Sequence, residues 1–209
     1  MKYETKSFLR VEEYEALSKL HIDGDILDVG GSKKSGYHEL ISGNHKIVTG
    51  NIDMSYGADI LFDAQKKWPF DNLSFSCVLF INVLEHLFDY NMAVTEAYRV
   101  LKGGGRVVGV VPFMLNVHGT PNDYFRYTKS ALENILLSAG FKSIEIKELG
   151  SGAFSVIYNI LIGFMRWMWL VSFMIFICRC LDHLILILKP NNKMTAKYMP
   201  LGYYFEAVK

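Results

Sequence analysis

Only three cysteines occur in the chain, Cys77, Cys178 and Cys180, and they make neither a disulfide framework nor a zinc site. Cys77 falls inside an apolar strand, where it reads as packing, so a reducing, intracellular setting is expected and no metal site. Charge of one sign is also lacking. The 22 Lys and Arg against 21 Asp and Glu leave a net +1, which removes the basic footprint of a nucleic-acid binder. Lys33-Lys34 and Lys66-Lys67 read as solvated loop charges. There is no internal repeat and no low-complexity tract, and residues 1–10 are charged, unlike a signal peptide. The 209 residues suffice for one domain with an elaboration and a real core.

What is present is an alternation of short apolar runs with helical patterns. Residues 26–29 read as a strand buried on both faces, broken by Gly30-Gly31, and apolar residues resume at helical spacing with Tyr37, Leu40 and Ile41. Strand, glycine turn and helix open a nucleotide-binding α/β sheet: glycines let backbone approach a ligand, and a helix N-terminus favours polar or anionic groups. Further strands are predicted at 46–51, 60–62, 76–81, 106–111, 143–149 and 203–208, with helices at 11–20, 91–101 and 130–139. The last helix carries a Ser130-x-x-Glu133 capping box and ends at Gly140. The expected fold is α/β, a doubly wound, Rossmann-like, seven-stranded and mostly parallel sheet with its last strand antiparallel.

Ligands of such sheets bind beyond the carboxyl ends of the strands. There the first four strands end on Gly30-Gly31, Asp53, Asp63 and Asn82. A carboxylate after the second strand can accept from two neighbouring ribose hydroxyls. One after the third suits an exocyclic amine such as adenine's. Each residue alone is explained as a cap or turn; the four in register describe an adenosine-bearing ligand.

At these residues the chain resembles the class I S-adenosylmethionine-dependent methyltransferases, of the small-molecule, type 11 kind. The resemblance runs over residues 26–146 and 202–209. It rests on Ile26-Leu27-Asp28-Val29-Gly30-Gly31, Asp53, Asp63-Ala64, Asn82-Val83-Leu84-Glu85-His86 and Arg99-Val100-Leu101-Lys102-Gly103-Gly104-Gly105-Arg106. The run His118-Gly119-Thr120-Pro121-Asn122-Asp123-Tyr124-Phe125-Arg126-Tyr127-Thr128 is similar to that of bacterial surface-glycan enzymes. The resemblance implies S-adenosyl-L-methionine as cofactor. It implies that Asp28, Gly30 and Gly31 shape the methionine end, Asp53 holds the ribose, Asp63 with Ala64 the adenine, and Asn82 the floor. Ser32 and Lys34 stand where the family has glycines, which stiffens the loop. A dehydrogenase would need a G-x-G-x-x-G that is missing. A base-modifying methyltransferase would, by family resemblance, carry an Asp/Asn-Pro-Pro-aromatic motif that is also absent.

For a general base the loop past the fifth strand offers His118, whose near-neutral titration suits a hydroxyl proton. Asp123, Tyr124 and Arg126 could orient the acceptor, Arg126 by binding an anionic group on it. The same residues could instead cap a tight loop around Pro121. His86 ends the fourth-strand loop.

Residues 151–200 form a hydrophobic helical insertion, separate from the cofactor-binding domain of residues 1–150 and 201–209. From 160 to 178 only Arg166 interrupts the apolar character, beside Trp167 and Trp169. Ten Ile, Leu, Val and Phe residues there favour insertion by about −3 to −6 kcal/mol, against about +2.5 to +3.5 kcal/mol for a central Arg. A single crossing would strand 203–208 across the bilayer, and the return stretch 181–188 is shorter than the ~20 residues a span needs. The expectation is a monotopic contact on the cytoplasmic face, with Arg166, Arg179 and Lys189 reaching for headgroups; a helical lid or dimer interface is the soluble alternative. Joined, the two halves predict a methyltransferase O-methylating a lipid-linked sugar or polysaccharide precursor. A quinone or isoprenoid acceptor, or an inactive membrane partner subunit, are the alternatives.

Overall fold

The computed structural model describes residues 7–119, 122–162 and 168–209. The apolar runs become strands β1 (Gly24–Val29), β2 (His45–Asn51), β3 (Ile60–Leu61), β4 (Phe75–Ile81), β5 (Leu101–Pro112), β6 (Lys142–Leu149) and β7 (Gly202–Val208). They lie side by side in one seven-stranded sheet of order β3-β2-β1-β4-β5-β7-β6. The pairs from β3 through β5 are parallel, and β7 runs antiparallel between β5 and β6. The doubly wound sheet with a reversed last strand is therefore as expected. All its parallel strands end at one edge.

Helices α1 (Phe8–Leu17), α2 (Tyr90–Val100), α3 (Lys129–Ser138), α4 (Ala153–Leu161) and α5 (Met168–Leu188) cover the sheet. One core gathers Leu27, Val78, Phe80, Ala97, Leu132 and Phe205 on the α2 and α3 side. The other joins Ile26, Cys77, Leu79 and Val108 to Phe8, Leu17, Tyr158 and Ile175 on the α1, α4 and α5 side. Central strands buried on both faces explain why β1 and β4 read as continuous apolar runs.

Three local expectations are corrected. No α-helix follows the glycine turn; His38–Leu40 is a single 3-10 turn, because Tyr37 and His38 turn inward onto the Asp28 carboxylate. Helix α3 is capped by Thr128, whose hydroxyl accepts from the Ala131 amide at 3.2 Å, so Ser130 lies inside the helix and is not its cap. The fifth strand, expected at 106–111, begins earlier, so Lys102 to Gly105, which the sequence reads as closing the preceding helix, belong to β5, with a register shift against β4 between Phe75 and Cys77.

The insertion between β6 and β7 consists of α4 and α5 packed on each other. Val171, Ile175, Cys178 and Asp182 of α5 are buried, a stripe at helical spacing that faces the domain. Asp182 closes the start of α4, accepting from the Ser151 hydroxyl at 2.7 Å and from the Phe154 and Ser155 amides at 3.0 and 3.2 Å. Arg179 does not reach outward. It donates to Glu12 at 2.6 Å and Glu15 at 3.0 Å on α1, because the acidic face of α1 lies within its span. Arg166 and Trp167 lie outside the described residues. Replacing Asp182 with Ala strips a carboxylate from the α4 amides, and should lower unfolding stability by ~2–3 kcal/mol, read as a shifted urea midpoint.

Candidate active site

A cavity of about 560 Å³ opens where β1, β2, β3 and β4 end, within the ~300–1,000 Å³ range of small-molecule pockets. Its first wall is the turn after β1. Gly30 takes φ +76°, a left-handed conformation that glycine adopts without penalty, and a methyl group there would lie 2.6 Å from Val83 Cγ2. The Gly30 amide donates to the Gly50 carbonyl at 2.7 Å. Asn51 then straps the turn to β2, its amide donating to the Gly30 and Gly31 carbonyls at 2.8 and 3.2 Å. Asn51 was not among the predicted residues, and its position as the last residue of β2 was the available signal.

Asp53, Asp63, Ala64 and Asn82 all line this cavity with Gly30. The Asp53 carboxylate accepts from the Ser55 amide at 2.8 Å, which holds its carboxyl below the usual range and leaves an anionic acceptor at the rim. Asp63 accepts from the Gln65 amide at 2.9 Å. Ile52 and Tyr56, next to Asp53, are exposed apolar surface on the same cavity, suited to a flat ring. Asn82 has φ +53°, and its amide donates to Glu13 of α1 at 2.7 Å. Glu13 is itself buried and paired with Arg10 at 2.8 Å. Helix α1 thus fixes the floor residue, a role that its spacing did not reveal.

Two predicted cofactor residues stand behind the wall. Asp28 is fully buried and accepts from the Tyr37 hydroxyl at 2.8 Å, with His38 Nε2 at 2.6 Å; burial raises its carboxyl's pKa, opposed by His38. Gly31 touches Asp28 closely, a Cβ there falling 1.9 Å from Oδ2. Neither lines the cavity; both shape the turn. Ser32 and Lys34 fit because serine side chains close the loop. The Ser32 amide donates to Ser35 Oγ at 3.1 Å, and the Lys34 amide to Ser32 Oγ at 3.0 Å. Lys33 is not a free loop charge, since it pairs with Asp59 at 2.6 Å.

The remaining rim is built by the 3-10 turn Leu84–His86 and the loop after β5. His86 and Tyr124 line the cavity. His118 packs edge-on against His86, with ring centroids 5.3 Å apart. Glu85 is wholly buried, and burial pushes its carboxyl up to about 8. It was legible only as part of a motif. Asp123 and Arg126 bind each other: Arg126 chelates both carboxylate oxygens and also donates to the Phe125 and Asn116 carbonyls. Asp123 accepts from the His118 amide at 2.8 Å. The guanidinium is therefore a loop brace and not a free anion site, which corrects the role expected of it. Thr120 and Pro121 lie outside the described residues.

Strand order, reversed β7 and a cleft at the carboxyl ends define the class I S-adenosylmethionine-dependent methyltransferase fold. Residues 43–109 match the family model of a methyltransferase domain, and S-adenosyl-L-methionine is the methyl donor of methyltransferases with this fold. No curated protein matches the chain. Among solved structures it is similar to phosphoethanolamine N-methyltransferase 2 of Haemonchus contortus in complex with S-adenosyl-L-methionine, at TM-score 0.58 and 17% identity. That likeness covers 94% of this chain and 52% of the other, so the chain spans about half its length. A possible histamine N-methyltransferase of Thermotoga maritima matches at TM-score 0.60 and 16% identity, covering 97% and 91%. The cyclase SpnF matches at TM-score 0.60 and 15% identity, covering 96% and 81%. At these identities the likeness is one of fold.

The Arg126 guanidinium holds the Asp123 carboxyl down to about 2, below the ~3.9 of an unfolded Asp. A depressed folded pKa contributes stability that is present above the unfolded value and lost as pH falls through the folded one. Asp123→Asn should therefore lower the thermal midpoint at pH 5–7, with the gap to wild type narrowing below about pH 4; a gap independent of pH would contradict the pairing.

Proposed function

We propose that this protein transfers a methyl group from S-adenosylmethionine to a hydroxyl of a membrane-presented acceptor, with a lipid-linked sugar or polysaccharide precursor as the favoured class. The observation that carries the reading is the single cavity wall shared by Gly30, Asp53, Asp63, Ala64 and Asn82. The cavity suits the cofactor on its own features. Gly30 leaves open a cradle that a side chain would fill, Asp53 offers a carboxylate at the rim, and Ile52 and Tyr56 offer apolar cover. When bound, S-adenosylmethionine supplies a methyl group activated for direct displacement.

The chain's residues then have three tasks. Asp53 accepts hydrogen bonds from the ribose hydroxyls, and Asp63 accepts from the adenine amine. The rim formed by Tyr124, His86 and Leu87 holds the acceptor, and holding reactants in line is worth ~7–11 kcal/mol of effective concentration. His118 takes the hydroxyl proton at Nε2, a contribution of roughly 10²–10⁴-fold.

The membrane part of the reading rests on α5. Its window Val171–Leu188 has mean hydropathy 2.1 and is 22% buried, and Phe173, Phe176, Leu184, Ile187 and Leu188 are exposed opposite the buried stripe. Arg179 and Asp182 tie the helix to α1 and α4, so a contact in the plane of the cytoplasmic leaflet suits it better than a crossing. The insertion leaves β6 and re-enters β7 at the sheet edge where the cavity opens, which supports an acceptor drawn from a lipid surface.

Calorimetry with S-adenosylmethionine tests the core of the proposal. Wild type should bind, and Asp53→Ala should weaken binding about tenfold or more, the worth of lost hydrogen bonds to a charged group. No binding by wild type removes the reading. Flotation with anionic vesicles tests the surface: wild type should float, and the Phe173→Asp, Phe176→Asp double variant should stay at the bottom.

A further inference from the structure

We propose that Glu85, His86 and His118 form a binding site for one divalent first-row transition-metal ion at the acceptor end of the cavity. One ligand atom from each lies within 4.8 Å of the others. Glu85 Oε1 is 3.7 Å from His86 Nε2 and 4.0 Å from His118 Nε2. The carboxylate is fully buried, and among the described residues neither of its oxygens has a hydrogen-bond partner. A buried carboxyl group whose oxygens make no hydrogen bond is rare in folded proteins, and an ion held with the two imidazoles would supply the missing partner.

The imidazoles point to the same conclusion independently. His86 Nδ1 faces the Asn122 carbonyl at 2.5 Å, and His118 Nδ1 faces the Asn116 carbonyl at 3.2 Å. A carbonyl only accepts, so each Nδ1 carries a proton, and in the neutral ring this leaves the Nε2 lone pair for an ion at the cluster. That outer-shell arrangement is how proteins fix a metal-binding histidine's tautomer. The two segments are also tied together before any ion arrives. The Tyr124 and Phe125 amides donate to the Glu85 carbonyl at 2.8 and 3.3 Å, and the Tyr127 hydroxyl to the Leu84 carbonyl at 2.9 Å. The Asp123–Arg126 pair holds the His118 backbone amide.

Metal–ligand bonds of about 2.0–2.2 Å place neighbouring ligand atoms roughly 3–3.5 Å apart. The cluster is slightly wider than that, and rotation of the His118 ring, whose side chain is 40% exposed, closes it. Two imidazoles and one carboxylate select manganese, iron, cobalt or zinc over the oxygen-seeking magnesium and calcium. Because His86 lines the cavity, the open positions of such an ion face the acceptor. They would take an oxygen donor, water or an acceptor hydroxyl, whose acidity the ion raises. With the ion bound, His118 Nε2 is a ligand, so the base role proposed for it belongs to the metal-free protein only, and in the metal-bound protein the ion's effect on the hydroxyl's acidity replaces it. This departs from the sequence expectation of no metal, and it rests on the cluster's geometry rather than on methyl transfer.

Full-length, tag-free protein stripped with chelator and titrated with Co²⁺ provides the test, read by calorimetry and visible absorption. Wild type should take up one equivalent with the ligand-field bands of a nitrogen- and oxygen-bound ion. Glu85→Gln and His118→Ala should each weaken uptake about a hundredfold while binding S-adenosylhomocysteine as wild type does, which shows that the domain is folded. No uptake by wild type, or uptake unchanged in both variants, overturns the site. Should wild type bind Co²⁺ through these residues but no S-adenosylhomocysteine, with circular dichroism then reporting the fold, the metal site stands and the methyl-donor reading falls.

Discussion

Two neighbouring turns meet at van der Waals limits, and the cavity exists because they do. Gly30 leaves β1 with a left-handed backbone and Asn82 leaves β4 the same way, at φ +76° and +53°. Val83 fills the space that a side chain on Gly30 would occupy. Asn51 holds the first turn from the β2 side through two carbonyls. A left-handed asparagine is uncommon but tolerated, and here its side chain is anchored on Glu13. The strand ends are thereby locked relative to one another, and the polar groups set on them acquire a fixed geometry.

Helix α1 links that lock to the insertion. Glu13 faces the sheet and holds Asn82 and Arg10, while Glu12 and Glu15 hold Arg179 of α5. Three carboxylates within about one turn of helix therefore divide between the site and the apolar elaboration. Exposed ion pairs contribute little on their own. The Arg179 pairs, however, sit beside buried aliphatic packing of Val171, Ile175 and Cys178, so charge and core select the same docking of α5. An outward apolar face on a helix fixed in this way is a property of the folded domain and not of a loose segment.

Much of this was readable from the chain alone, and the reason is physical. Buried parallel strands must be apolar on both faces, and the residues that end them must be polar or glycine, so 26–29, 76–81, Asp53 and Asp63 announce themselves. What stayed hidden depends on contacts far apart in sequence. Asp28 looked like a ligand-facing residue, yet Tyr37 and His38 claim it, and that choice decides whether a helix or a 3-10 turn follows. Arg126 looked free because its partner Asp123 is a neighbour that could equally have faced the cavity. The insertion's inward face, Arg179 included, could not be known before α1 was placed. Ser130 and Glu133 fit a capping box by spacing, but Thr128 comes first along the chain and takes the cap.

The donor half and the acceptor half of the cavity carry different amounts of information. A glycine turn, a carboxylate after β2 and another after β3 are what the fold needs to hold a nucleoside, and they distinguish the class rather than the member. One protein of similar fold is named as a cyclase, so the fold by itself does not fix a reaction. Under the proposed reading it is set where the Leu84–His86 turn meets the loop after β5, at a buried carboxyl group with two imidazole nitrogens 3.7 and 4.0 Å away. An unpaired buried carboxylate is expensive to keep, and packing alone would be served better by an apolar residue at position 85. Its position between two histidines, one of which lines the cavity, is why the proposed reading looks to that cluster for the choice of acceptor.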